Sequence, residues 1–123
     1  MGDLSKYDLE LWKFKGAFLA QDTETNALAV ATVVAPGTEY RNRPVKVDAS
    51  YSSSTVSGLL QIKSGATVIA EKYIHGAGAL DYSDFGIAAL NRNEAVSAEL
   101  AAGGAAIVGT VTLSGFKHPD SPL

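Results

Sequence analysis

Cysteine is absent from this 123-residue chain. Neither a disulfide framework nor a thiolate metal site therefore contributes to the fold, and the redox compartment is left open. Aromatic residues make up only 8% of the chain, with one tryptophan, and methionine occurs once. Together with the shortage of Glu/Lys runs, this leaves little material for long amphipathic helices. No apolar run approaches the ~18 residues of a membrane-spanning helix. The opening, Met1 to Lys6 followed by Asp8, Glu10, Lys13 and Lys15, is too mixed in charge to read as a secretory leader. A basic excess is missing as well: the formal net charge is −3, which argues against a dedicated nucleic-acid binder. With 46% apolar and 19% charged residues, the composition is that of a globular domain, and the length fits one domain built around a single core.

What is abundant is Gly, Ala, Ser, Thr and Val, in short β-branched runs punctuated by Gly and Ser, the pattern of a sandwich or barrel. Val45, Val47, Ala49 and Tyr51 alternate with Lys46, Asp48 and Ser50, which predicts a strand over 45–51 with one apolar and one polar face. Pro44 stands at its start, where a missing N–H does least harm. Residues 58–63 and 68–75 predict two strands joined through Ser64-Gly65-Ala66-Thr67, a hairpin with Gly available for positive φ. Gly76-Ala77-Gly78 predicts a bend or bulge, 79–85 a short strand with Leu80 and Tyr82 on one side, and 86–94 a loop with room for one helical turn. Residues 95–101 alternate again. Gly103-Gly104 then reads as the return of a second hairpin whose other arm is 107–116, with Ile107, Val111 and Leu113 inward. Leu60, Val96, Leu100, Val111 and Leu113 form the expected shared interior.

The first third differs in character. Residues 9–20 carry Trp12, Phe14 and Phe18 and read as a strand with an aromatic face. A helix is the weaker alternative, because Gly16 in its interior costs about 1 kcal/mol relative to Ala. These three rings have two readings. Either they pack in the chain's own core, or they form an arm that buries them on a neighbouring molecule, aromatic anchors being enriched at interfaces. A further strand is expected over 26–34. The division expected is an N-terminal arm with the first strands (1–37), a sandwich body (38–117) and a flexible tail (118–123), giving an all-β, antiparallel, jelly-roll-like sandwich of seven to eight strands.

Motifs that carry chemistry are missing: no G-x-S-x-G elbow, H-E-x-x-H, phosphate-binding loop or calcium-loop spacing occurs. Gly76-Ala77-Gly78-Ala79-Leu80-Asp81 begins like a dinucleotide fingerprint but lacks the third glycine and the helix that should follow. His75 with Asp81 and Asp84 nearby has a metal or general-base reading. The structural reading, a strand-end imidazole bonded to a nearby loop, is preferred because a structural zinc site needs four ligands. Asp22, Glu24, Asp81 and Asp84 are oxygen donors of the type calcium takes, but acidic loop residues are far more often solvated. Arg41, Arg43 and Lys46 form a modest basic cluster suited to a polar contact with an acidic partner or phosphate. With Glu39 and Asp48 beside them, a solvated edge is the commoner outcome. No catalytic residue, metal site or cofactor is expected.

From Val45 onward the chain resembles small β-sandwich structural proteins of tailed bacteriophages. The residues carrying the likeness are Gly58-Leu59-Leu60-Gln61-Ile62-Lys63-Ser64-Gly65, Val68-Ile69-Ala70, Tyr73-Ile74-His75-Gly76, Ala95-Val96-Ser97-Ala98-Glu99-Leu100-Ala101-Ala102-Gly103-Gly104 and Val108-Gly109-Thr110-Val111-Thr112-Leu113-Ser114-Gly115. It lies in overall texture and leaves Met1–Gly37 outside. The resemblance implies a non-enzymatic virion part, a capsid decoration (cement) protein bound to the outside of a phage head. Its partner would be the major capsid protein or another virion protein, and no nucleic acid or membrane is involved. A homo-oligomer is expected, a trimer by analogy with the three-fold positions between coat subunits. The alternatives are a tail or adaptor component and a sandwich-type carbohydrate-binding module, which would need exposed rings among Tyr40, Tyr51, Tyr73 and Tyr82.

Overall fold

Alternation in the sequence becomes alternation in burial. In the computed structural model, which describes residues 16–86 and 91–119, Gly58, Leu60, Ile62 and Ser64 of β4 (Ser57–Ser64) are buried, and Leu59, Gln61 and Lys63 between them are half-buried. Val96, Ala98 and Leu100 of β7 (Val96–Leu100) and Gly109, Val111, Leu113 and Gly115 of β8 (Val108–Pro119) repeat the pattern. The remaining strands are β1 (Ala17–Thr25), β2 (Ala29–Val33), β3 (Tyr40–Tyr51), β5 (Thr67–His75) and β6 (Ala77–Asp81), with one short helix, α1 (Tyr82–Phe85).

The pairing is nested. β1 pairs with β8, β2 with β7, β3 with β6 and β4 with β5, all antiparallel. A long hairpin wound on itself has this pattern, and the winding adds the contacts β3 with β8 and β4 with β7. The resulting order, β1-β8-β3-β6-β5-β4-β7-β2, turns at the single pair His75↔Ala77 into two four-stranded sheets, β1-β8-β3-β6 and β5-β4-β7-β2. Eight strands in two such Greek-key sheets define a jelly-roll sandwich. On the side away from the β5–β6 corner, Asp22 Oδ2 of β1 accepts from the backbone N–H of Val30 in β2 at 2.9 Å, which ties the two edge strands across the gap.

The core lies between the sheets. Leu60, Ile62, Val96, Leu100, Val111 and Leu113 are fully buried, with Val47, Leu80 and Ile74 beside them. Each Leu, Ile or Val contributes roughly 1.5–3 kcal/mol from area removed from water. The interior expected from the sequence is therefore the interior found. The 64–67 turn also forms as expected, a two-residue loop with Gly65 at φ +58° between the paired Ser64 and Thr67.

Several local expectations are corrected. β7 and β8 do not form a hairpin: they sit in different sheets, and residues 101–107 carry the chain from one to the other. Pro44 is not at a strand start. β3 begins at Tyr40, and Pro44 precedes a bulge where the pairing to β8 skips Val45. One extra residue moves every later side chain to the opposite face. Thus Asn42 and Pro44 point inward before it, Val47, Ala49 and Tyr51 after it, and Val45 is left 40% exposed. The strand expected over 79–85 ends at Asp81, where a capping box made by the Asp81 and Asp84 side chains starts α1. The helical turn thus lies at 82–85, before the 86–94 loop expected to hold it. β1 and β2 are full members of the two sheets, so the boundary expected at residue 37 falls inside the sandwich, and β8 runs on through His118 and Pro119.

Candidate functional site

Of the residues singled out from the sequence, Phe18 and the basic cluster lie on opposite faces of the β1-β8-β3-β6 sheet. Phe18 lies on the inner face of β1, paired with Gly115, and packs half-buried against the chain's own core. Trp12 and Phe14 lie outside the described residues. Arg41 and Arg43 alternate onto the outer face of β3, opposite His118 and Phe116 of β8, and the bulge returns Lys46 to that face opposite Ser114. The basic residues are thus brought together, on the side of the sheet away from Phe18. Lys46 is paired with Asp48 at 3.4 Å, both exposed, a contact worth little in water. Among the described residues, Arg43 Nε is buried without a hydrogen-bond partner. Nearby, Lys117 Nζ stands 4.7 Å from the centre of the Tyr40 ring, a cation–π contact.

His75 Nδ1 is 2.6 Å from Ser57 Oγ, its cross-strand neighbour, at an exposed strand end. The imidazole therefore meets a strand hydroxyl, not a loop backbone. Asp81 and Asp84 are occupied in capping α1, and Asp84 lies 3.9 Å from Lys72. The side-chain hydroxyl and backbone N–H of Ser83, and then Lys72 and Lys46, hold the Asp81 carboxyl below its ordinary range. Among the described residues no three His, Asp or Glu side chains converge on a point fit for a metal ion.

A second surface was not legible locally. On the outer face of β5-β4-β7, Gln61 is in register with Glu71 on one side and Glu99 on the other, so the three side chains form a row across the strands. Gln61 Nε2 donates to Glu71 Oε2 at 2.7 Å. Lys63 Nζ bridges both Glu99 oxygens, at 3.1 and 3.0 Å, in a half-buried pair. One pleat further along, Tyr73 faces Leu59, and the residue is 77% exposed, more than any other large apolar residue described. Of the other tyrosines among the described residues, Tyr82 in α1 is exposed, Tyr40 half-buried and Tyr51 in the core.

No protein-family model matches this chain, and no curated protein sequence matches it either. Solved structures of similar shape include the capsid of the Helicobacter pylori bacteriophage KHP30, at 14% identity and TM-score 0.45 over 86% of this chain and 90% of that one. The PRD1 vertex protein P5 matches at 11% identity and TM-score 0.44 over 83% and 97%. A carbohydrate-binding domain, CBM36-1, of a xylanase from the hindgut metagenome of Trinervitermes trinervoides matches at 7% identity and TM-score 0.46 over 88% and 100%. Likenesses of this degree assign neither a family nor a function. The jelly-roll class follows from the chain's own strand order.

Proposed function

We propose that this protein is a non-enzymatic structural component of a bacteriophage virion, a decoration (cement) protein made in the host cytoplasm and bound to the outside of the head, where it reinforces joints between coat subunits. The observation that carries the reading is the nested eight-stranded pairing, an architecture used by viral capsid domains among others, together with the texture that resembles phage structural proteins. Fold alone does not fix function, so the proposal also rests on where the chain enters. β1 is the outermost strand of its sheet, and Trp12 and Phe14 precede it in the sequence. Those rings are the proposed anchors on the major capsid protein, with Arg41, Arg43 and Lys46 on the adjoining outer face as polar contacts. Weak sites gain avidity when repeated about a symmetry axis, which favours a homo-oligomer, a trimer at three-fold positions.

Co-sedimentation with empty heads tests this, using the full chain and a form lacking residues 1–15. The full chain is expected to sediment with the heads, and the shortened one to stay folded by circular dichroism and remain in the supernatant. Equal binding by both forms removes the arm from the proposal, and no binding by either removes the virion role.

A further inference from the structure

We propose that the outer face of the β5-β4-β7-β2 sheet is a binding site for a neutral glycan, with Tyr73 as its stacking platform and Glu71, Gln61 and Glu99 as its hydrogen-bonding row. The site goes beyond the virion reading and does not depend on it, because its residues, on β4, β5 and β7, include none of the contacts proposed there.

The register makes the face amphipathic in stripes. Tyr73 and Leu59 form an apolar pair, and two residues along the same strands Glu71, Gln61 and Glu99 form a polar row. A pyranose ring is amphipathic in the same sense: its faces present C–H bonds and its rim presents hydroxyls. A ring laid on Tyr73 therefore places its hydroxyl rim toward Glu71 and Gln61. Adjacent strands lie about 4.8 Å apart, a spacing of the order of one sugar ring, so a second residue of the glycan would meet Gln61 and Glu99.

The polar groups are already ordered. The 2.7 Å bond between Gln61 and Glu71 and the two-oxygen bridge of Lys63 to Glu99 fix their directions before any ligand arrives, which lowers the ordering cost of binding. They also retain capacity, since the amide and carboxylates have lone pairs beyond the bonds they make here. Tyrosine suits the role because it offers a large rigid surface with a polar tip.

Charge narrows the ligand class. Among the described residues Lys63 offsets Glu99, whereas the contact of Glu71 is with the neutral amide of Gln61, so the described row carries a net negative charge. An anionic glycan meets repulsion there, and a neutral one meets acceptors for its hydroxyls.

Affinity electrophoresis of the full chain through gels containing xylan, mixed-linkage β-glucan or galactomannan, with polygalacturonate as the anionic comparison, tests the site. Retardation by at least one neutral polysaccharide and none by polygalacturonate is expected. Tyr73→Ala should weaken that retardation about tenfold or more, equivalent to about 1.4 kcal/mol, whereas Tyr73→Phe should keep most of it. Tyr82→Ala, which removes an exposed ring outside the row, should leave it unchanged. Because Tyr73 is exposed, its variants should fold, which circular dichroism verifies. No retardation by any neutral polysaccharide overturns the proposal, as does retardation that survives Tyr73→Ala. Head binding that persists in Tyr73→Ala keeps this test separate from the virion reading.

Discussion

The hydroxyl of Tyr51 stands where a side chain on Gly58 would begin, 1.8 Å from the position a Cβ would take. The same hydroxyl donates to the carbonyl of Ala101 at 2.7 Å, and the ring edge passes close to Gly103 and Gly109. Tyr51 therefore reaches from the end of β3 to the segment that leaves β7. That segment has no hairpin partner of its own and must be pinned by contacts distant in sequence. Gly58 is small because this ring needs the space.

The pair should be coupled. Gly58→Ala forces the ring to move and should cost about 1–3 kcal/mol, the usual range for overpacking. Tyr51→Phe leaves the Ala101 carbonyl without its donor and should cost about 1–3 kcal/mol. In the double variant the oxygen that meets the new methyl is gone, so its loss should fall short of the sum. Urea denaturation of all four proteins checks this, and strict additivity would show that the two residues do not meet.

Two valines in one strand separate the bulge from simple alternation. Val47 is fully buried and Val45 is 40% exposed, although the sequence gives them the same parity. Val45→Ala should change stability by less than about 0.5 kcal/mol. Leu100→Ala and Leu113→Ala, at fully buried positions, should each cost about 2–5 kcal/mol. Chemical denaturation checks the series, and a large loss at Val45 would place it in the core and remove the bulge.

How far the sequence could be read follows from which signals were local. Leu60, Val96, Leu100, Val111 and Leu113 were legible because period-two alternation is written within each strand, and the 64–67 turn because Gly65 sits where positive φ is needed. The bulge was hidden because Asn42, a buried polar residue whose Nδ2 donates to the carbonyls of Val34 and Glu94, masks the inward parity of the strand's first half. The false β7–β8 hairpin arose because Gly103-Gly104 reads as a tight return whether the chain folds back on its own sheet or crosses to the other. The Glu71-Gln61-Glu99 row was out of reach for another reason. Its members come from three strands, and only cross-strand register brings them into line.

Stability should fall at both ends of the pH range, from different groups. Burial raises the Tyr51 phenol above its ordinary value, so the stability it confers is fully present below the ordinary tyrosine pKa and is lost as pH rises through the raised one. Asp81 is held low, mainly by Ser83, so its contribution is present above the ordinary aspartate pKa and disappears as pH falls through the lowered one. Denaturation midpoints measured across pH should show a shallower acid limb in Asp81→Asn and a shallower alkaline limb in Tyr51→Phe. An unchanged limb in either variant would detach that residue from the pH response.

Phe18 and its neighbours in sequence should separate core from arm. The Phe18 ring lies over Gly115, where a Cβ would come within 2.7 Å of it and within 2.3 Å of the Arg43 carbonyl. Gly115 is thus held small by both a side chain and the backbone of β3. Phe18→Ala should destabilise the domain, by less than the about 3–5 kcal/mol typical of a fully buried phenylalanine because the ring is only half-buried. Gly115→Ala should destabilise it more sharply than Phe18 repacking could absorb, since the β3 backbone cannot yield without disturbing its pairing to β8. If Trp12 and Phe14 are anchors on a coat protein, replacing both by Ala should leave the unfolding midpoint close to that of the parent. Head binding should then weaken by the about 2 kcal/mol or more of an interface hot spot, roughly thirtyfold. Thermal unfolding and co-sedimentation on the same preparations give both readings. A Trp12/Phe14 variant that melts early and still binds heads would reverse the assignment, moving those rings into the protein's own core and leaving the outer face of β3, with Arg41, Arg43 and Lys46, as the remaining contact.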